Sequence, residues 1–383
     1  MQKLISILIL LSLGCSSQEQ RQRNEILPGA HQTEEYLPLL KGKNVGMTVN
    51  HSSLIGTTHL LDSMVKLDIK VTKVFTPEHG FTGKVSDGQE VKYDSSENSF
   101  ELISLYGKNK KPDSIQMADL DIMLFDIQDV GTRFYTYIST MHYVMEACAE
   151  KGIPLIILDR PNPNGSYVDG PVLDMSLKSF VGMHPIPIVH GMTVGELAMM
   201  INDEGWLSTG NKVDLTVIKN KNWKHSMPYS LPVKPSPNLP DDLSISLYPS
   251  LCLFEGTIMS VGRGTDHAFQ QIGHPDYPNA QHGFTPESRE GAKWPPYEDL
   301  MCYGESWIGT KPNYNFTIQP LIDAYQTMNR DDFFNDYFKR LAGTNLLQKQ
   351  IEEGQTEKEI RESWEPQLRD FKTKRKQYLL YND

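Results

Sequence analysis

Between residues 44 and 161 short continuous apolar runs alternate with stretches whose apolar positions recur at helical spacing. The runs at 45–49 (VGMTV), 69–75, 102–105, 121–125 (DIMLF) and 154–158 (PLIIL) are too short for helices and lack the polar alternation of a half-solvated strand. They read as strands buried on both faces. Between them, 58–67 places Leu60, Leu61, Met64 and Val65 on one side of a helix. Residues 137–150 do the same with Ile138, Met141, Val144, Met145 and Cys148, and Gly152 supplies the C-cap. A helix over 193–204 and a strand over 213–218 continue the series. This alternation predicts an α/β fold with a doubly wound, mostly parallel sheet.

In such sheets ligands bind beyond the carboxyl ends of the strands, and here those ends run into ionisable clusters. The first strand leads to Asn50 and His51, and the second to TPEHG, which holds Glu78 and His79. The DIMLF strand leads to Asp126, Gln128 and Asp129, then Arg133, Tyr135 and Tyr137; PLIIL leads to Asp159, Arg160 and Asn162. Glu78, on a tight turn at a strand end, is the candidate general acid. Carboxylate, amide and aromatic ring together suit a sugar, whose hydroxyls need polar partners and whose apolar face a ring covers. Arg133 could grip a carboxylate through two parallel hydrogen bonds. Set against this, Glu78 could be a surface loop acid, and Arg133 could pair internally with Asp126 or Asp129.

Proline becomes dense over 231–240 (LPVKPSPNLP), which marks a boundary between a catalytic domain (36–235) and a smaller α+β auxiliary domain (236–383). Within the latter, EGTIMSVGRGT offers Glu255 and Arg263. Its Gly262-Arg263-Gly264 is no dinucleotide loop, because His267 stands where the third glycine belongs and no suitable strand precedes it. A loop delivering Arg263 to an anionic ligand fits better. Near the chain's end, Thr356 and Glu359 have capping-box spacing, and Trp364, Leu368 and Phe371 suggest a packed helix.

A net charge of −11 argues against nucleic acid as a partner. At the N-terminus, Lys3 precedes an apolar run over 4–13, too short to span a bilayer, and then Gly14-Cys15. This reads as an export signal over 1–15 whose Cys15 carries a lipid anchor, followed by a polar tether over 16–35. The other cysteines, Cys148, Cys252 and Cys302, are far apart, and no CxxC pair suggests zinc. GxSxG, Walker and HExxH motifs are absent. His51, His79 and His190 could hold a metal only if the fold gathered them with Asp126 or Asp159, and no metal or organic cofactor is expected.

These segments resemble the NamZ-type exo-β-N-acetylmuramidases. VNHSS, FTPEHGFTG, LFDIQDVGTRFYTYIST, ILDRPNPNG, SFVGMHPIPIVHGMTVGELA, KPSPNLP and LFEGTIMSVGRGTDHAF carry the resemblance in order, and it reaches the closing SWEPQLRDFKTKRKQYLLY. It implies a Rossmann-like first domain, a smaller auxiliary domain and an active site in the cleft between them. It also implies an exo-acting glycoside hydrolase that frees N-acetylmuramic acid from muramyl-glucosamine fragments of peptidoglycan, with Glu78 as the acid and Asp126, Asp129 or Glu255, all in matching segments, as candidates for a second catalytic group. The lactyl carboxylate of muramic acid would need a cation, Arg133 or Arg263. Two other readings stay open: an amidase or esterase on the same scaffold, and a non-catalytic lipoprotein that binds muropeptides.

Overall fold

A computed structural model describes residues 25–83, 100–278 and 280–381. The expected export signal, Cys15 and the first part of the tether lie outside the described residues.

Six parallel strands form the central sheet: β1 (Val45–Val49), β4 (Val71–Thr76), β5 (Glu101–Ser104), β6 (Ile122–Asp126), β7 (Leu155–Leu158) and β8 (Leu215–Ile218). Their order is β5-β4-β1-β6-β7-β8. Counting only these strands, the order is 3-2-1-4-5-6, the Rossmann arrangement. Apolar side chains alternate between its two faces. Val45, Met47, Val49, Leu124 and Ile156 pack on one face with helices α1 (Thr33–Leu40) and α2 (Leu60–Lys66). On the other, Phe75, Met123, Phe125, Leu155 and Ile157 pack against α3 (Tyr137–Lys151) and α4 (Val194–Asp203). Because both faces are covered, the strands read as unbroken apolar runs. The expected helix over 58–67 begins two residues late, since 58–59 pair as strand β3 with β2 (Leu54–Ile55). Thr193 caps α4 with Glu196 in a capping box, and Gly152 closes α3 with φ 65°.

The remainder is smaller and mixed. Helix α5 (Asp242–Leu251) leads through a 3-10 turn (Cys252–Gly256) to an antiparallel sheet, β10 (His282–Phe284), β11 (Cys302–Ser306) and β9 (Gln271–His274), with β11 central. Helices α6 (Gln319–Met328), α7 (Phe338–Ala342), α8 (Leu346–Glu352) and α9 (Glu357–Arg375) follow. The chain then returns to the first unit. Arg361 pairs with Asp169, Lys374 with Glu204, and Tyr381 donates to Asp159 at the end of β7. The C-terminal tail thus packs on the first unit. Among the described residues no helix is long and apolar enough to cross a membrane.

Candidate active site

At the end of β4 the chain turns sharply through Pro77–Gly80, closed by the Gly80 N–H on the Pro77 carbonyl at 3.0 Å. His79 and Gly80 both take the left-handed conformation, at φ 67° and 69°. For histidine this backbone is uncommon and costs energy that the surroundings must supply. The turn presents Glu78 to a cavity of about 570 Å³, a size ordinary for a small-molecule site. The Thr136 hydroxyl, just ahead of α3, donates to Glu78 Oε2 at 2.6 Å.

Both units line this cavity. From the first come Glu78, His79, Tyr106, Phe134, Tyr135, Thr136 and Tyr137; from the second, Tyr248, Glu255, Arg263, Phe269, Tyr297 and Tyr337. The aromatic wall is interlocked. Tyr135 packs edge-on against Tyr137 at 4.8 Å and Tyr248 against Phe269 at 4.9 Å. Tyr135 and Tyr137 donate their hydroxyls to the Pro235 carbonyl at 2.8 and 3.3 Å, so their rings form the wall. Burial, then the nearby Cys252, Glu255 and Glu78, pushes the Tyr337 phenol well above its ordinary value and keeps it a neutral donor. Opposite, Arg263 Nε donates to Glu255 Oε1 at 2.5 Å, and its guanidinium lies 5.2 Å from the Phe269 ring centre. Glu255 Oε2 accepts from the Cys252 thiol at 3.5 Å. Arg263 is the permanent cation among the described residues that line the cavity.

Six of the expected site residues thus meet in one cavity: Glu78, His79, Tyr135, Tyr137, Glu255 and Arg263. The others do not line it. They fill the crevice at the sheet's switch point, between the ends of β1 and β6, and the ground around it. Asp126 is fully buried against Arg160, which donates to it at 2.5 and 2.8 Å. Asn50 accepts from Ser52, and Gln128 donates to the Asp129 and Pro161 carbonyls. Asn162 donates to the Met192 carbonyl, and Asp159 is held by Thr193, Gly195 and Tyr381. His51 Nε2 donates to the Lys234 carbonyl, while burial pushes His190 down to about 3 and keeps it neutral. Asp129, expected as a second catalytic group, accepts from Gly131 N–H at 2.6 Å, and burial pushes its carboxyl up to about 7. Asp126 and Asp129 are thereby placed inside the scaffold, away from the cavity.

The expected pairing of Arg133 with a carboxylate, in substrate or protein, is also corrected. Its guanidinium is buried and donates to four carbonyls, of Pro171, Ile186, Leu341 and Ala342, at 2.8 to 3.0 Å. Gly343, at φ 73°, gives it room, since a Cβ there would lie 2.3 Å from Arg133 Nη2. Arg133 therefore ties α7 to the first unit. Among the described residues no group of three or more His, Cys, Asp and Glu is arranged to hold a metal ion.

Residues 45–243 match the family description "Exo-beta-N-acetylmuramidase NamZ, N-terminal", and 246–381 match its C-terminal counterpart. The chain is 39% identical over 376 residues to the peptidoglycan beta-N-acetylmuramidase NamZ of Bacillus subtilis (strain 168), covering 91% of this chain and 89% of that protein. Two crystal structures of DUF1343 family proteins from Bacteroides fragilis are similar. The first superposes with a TM-score of 0.87 at 46% identity, covering 94% of this chain and 99% of the other. The second does so with a TM-score of 0.77 at 26% identity, covering 94% and 100%. The chain belongs to the NamZ family of exo-β-N-acetylmuramidases.

Proposed function

We propose that this protein is an exo-acting glycoside hydrolase that releases β-1,4-linked N-acetylmuramic acid from the non-reducing ends of peptidoglycan fragments. One observation at the site carries the reading. Of the two carboxyl groups among the described residues that line the cavity, Glu255 has both oxygens engaged, by Arg263 and Cys252, whereas Glu78 Oε1 has no hydrogen-bond partner among the described residues. Glu78 is thus the group able to give a proton to the glycosidic oxygen. As the bond from the anomeric carbon to that oxygen breaks, the proton passes to the departing sugar. Water completes the product and returns a proton to Glu78. The aromatic wall covers the apolar face of the sugar ring. An amidase or esterase would have to use the same residues without this match of acid, rings and cation.

Arg263, fixed by Glu255 and Phe269, is the group that meets the lactyl carboxylate. A charged hydrogen bond contributes about 1.5–3 kcal/mol. Arg263→Met should therefore lower kcat/KM on fragments ending in N-acetylmuramic acid by roughly 10- to 150-fold. The slow turnover of N-acetylglucosamine-ended analogues, which lack the lactyl group, should stay within about twofold, since no charged contact is lost there. Equal losses on both substrates would remove Arg263 from this role. Paired trisaccharides that differ only in the sugar at the non-reducing end test the exo-muramidase reading itself. Release of a monosaccharide from both at comparable rates, or from neither, would sink it.

The export reading belongs to the same proposal, because the polymer lies outside the cytoplasm. We infer that Cys15 carries the lipid. Cells fed labelled palmitate should yield labelled protein from the parent gene and none from Cys15→Ser, and label persisting in the variant would refute the anchor.

A further inference from the structure

We propose that Thr136 is the positioning residue for the acid: its hydroxyl holds Glu78 by Oε2, so that Oε1 is the oxygen that carries the proton into the cavity. This rests on the reading of Glu78 as the proton donor. The hydroxyl donates to Oε2 at 2.6 Å, a short bond of the charge-assisted kind. When Glu78 is protonated, its carbonyl oxygen is the better acceptor, so the donated bond assigns Oε2 to that state and the proton to Oε1. The Glu78 side chain hangs on a turn with two consecutive left-handed residues, and its partners among the described residues reduce to this one bond.

A second observation separates this role from an ordinary structural one. Thr136 stands at the N-cap position of α3, where a threonine oxygen usually accepts from the helix's own N–H groups. Here it makes no such bond, at φ −72° and ψ −7°. The hydroxyl is directed at Glu78 instead, and removing it takes no cap from the helix. Thr136→Val is therefore expected to fold.

The test compares the parent, Thr136→Val and Thr136→Ser on muramyl-glucosamine disaccharide, alongside the ¹³C NMR resonance of the Glu78 carboxyl, assigned by its loss in Glu78→Gln. Without the donated O–H, Oε2 is released and the carboxyl is free to turn, so the proton no longer has a fixed place in the cavity. In Thr136→Val kcat should drop about tenfold with KM within twofold, and the Glu78 carboxyl resonance should move from its position in the parent. Thr136→Ser should restore both. An unchanged kcat and carboxyl resonance in Thr136→Val, or a loss confined to KM, overturns the proposal. A parent enzyme inactive on the disaccharide refutes the muramidase reading instead, and the carboxyl resonance then decides the fate of the hydrogen bond by itself.

Discussion

Glu78→Gln is expected to lower kcat by about 10²- to 10⁴-fold, the range general acid catalysis contributes. The amide keeps the shape of the carboxyl and can still accept the Thr136 hydroxyl, so substrate affinity should change little. What is lost is the proton for the leaving oxygen. The variant should also be less impaired on substrates whose leaving group departs without protonation, such as an activated aryl muramide. Kinetics on both substrate types, with the melting temperature as a control for folding, check this. A variant equally slow on both would place Glu78 elsewhere in the mechanism, and an unimpaired variant would exclude it as the acid.

Arg160→Met has the second large effect, and it falls on stability. Asp126 and Arg160 are both buried at the switch point of the sheet, joined by two hydrogen bonds, with Arg160 also reaching the Leu54 carbonyl. Removing the cation leaves an uncompensated buried carboxylate, which costs about 3–5 kcal/mol. In a chain of this size that corresponds to a fall in melting temperature of roughly 5–15 °C. Replacing both partners, Asp126→Leu with Arg160→Met, should recover most of the loss, because two apolar groups restore the match that one alone destroys. Thermal melts and denaturant titrations of the three variants measure this. If Arg160→Met kept its parent's melting temperature but lost its activity, the pair would belong to the reaction and not to the scaffold.

That pair also shows how the sequence both reveals and conceals this site. Strands were legible because burial on two faces leaves a run such as IMLFD unbroken by polar residues. The turn at Glu78 was legible because proline, histidine and glycine rarely crowd one carboxyl at a strand end without cause. Asp126 and Arg160 look equally functional in sequence, since nothing local tells a strand-end carboxylate open to a ligand from one closed by an arginine 34 positions away. Arg133 is concealed for the same reason: two of its four acceptors lie more than 200 residues along the chain. Tyr106, Tyr248 and Tyr337 lie in none of the motif segments and reach the cavity only through tertiary packing, while Thr136 sits inside one without a chemical signal of its own.

The cavity lies off the switch point that the sheet order would nominate. Buried ion pairs and amide bonds fill that crevice, and the tail residue Tyr381 closes the neighbouring Asp159. The open space lies instead beyond β4, under the auxiliary unit. A doubly wound sheet thus keeps its topology while its cleft is built between two units.

The most direct test of the account is incubation of the purified protein, without its first 20 residues and in the presence of a chelator, with β-1,4-N-acetylmuramyl-N-acetylglucosamine. The released species would be followed by mass spectrometry. The account predicts free N-acetylmuramic acid and N-acetylglucosamine in equal amounts from the parent, and a loss of at least about 100-fold in Glu78→Gln. Intact disaccharide bound without turnover, or release of acetate in place of sugars, would contradict it.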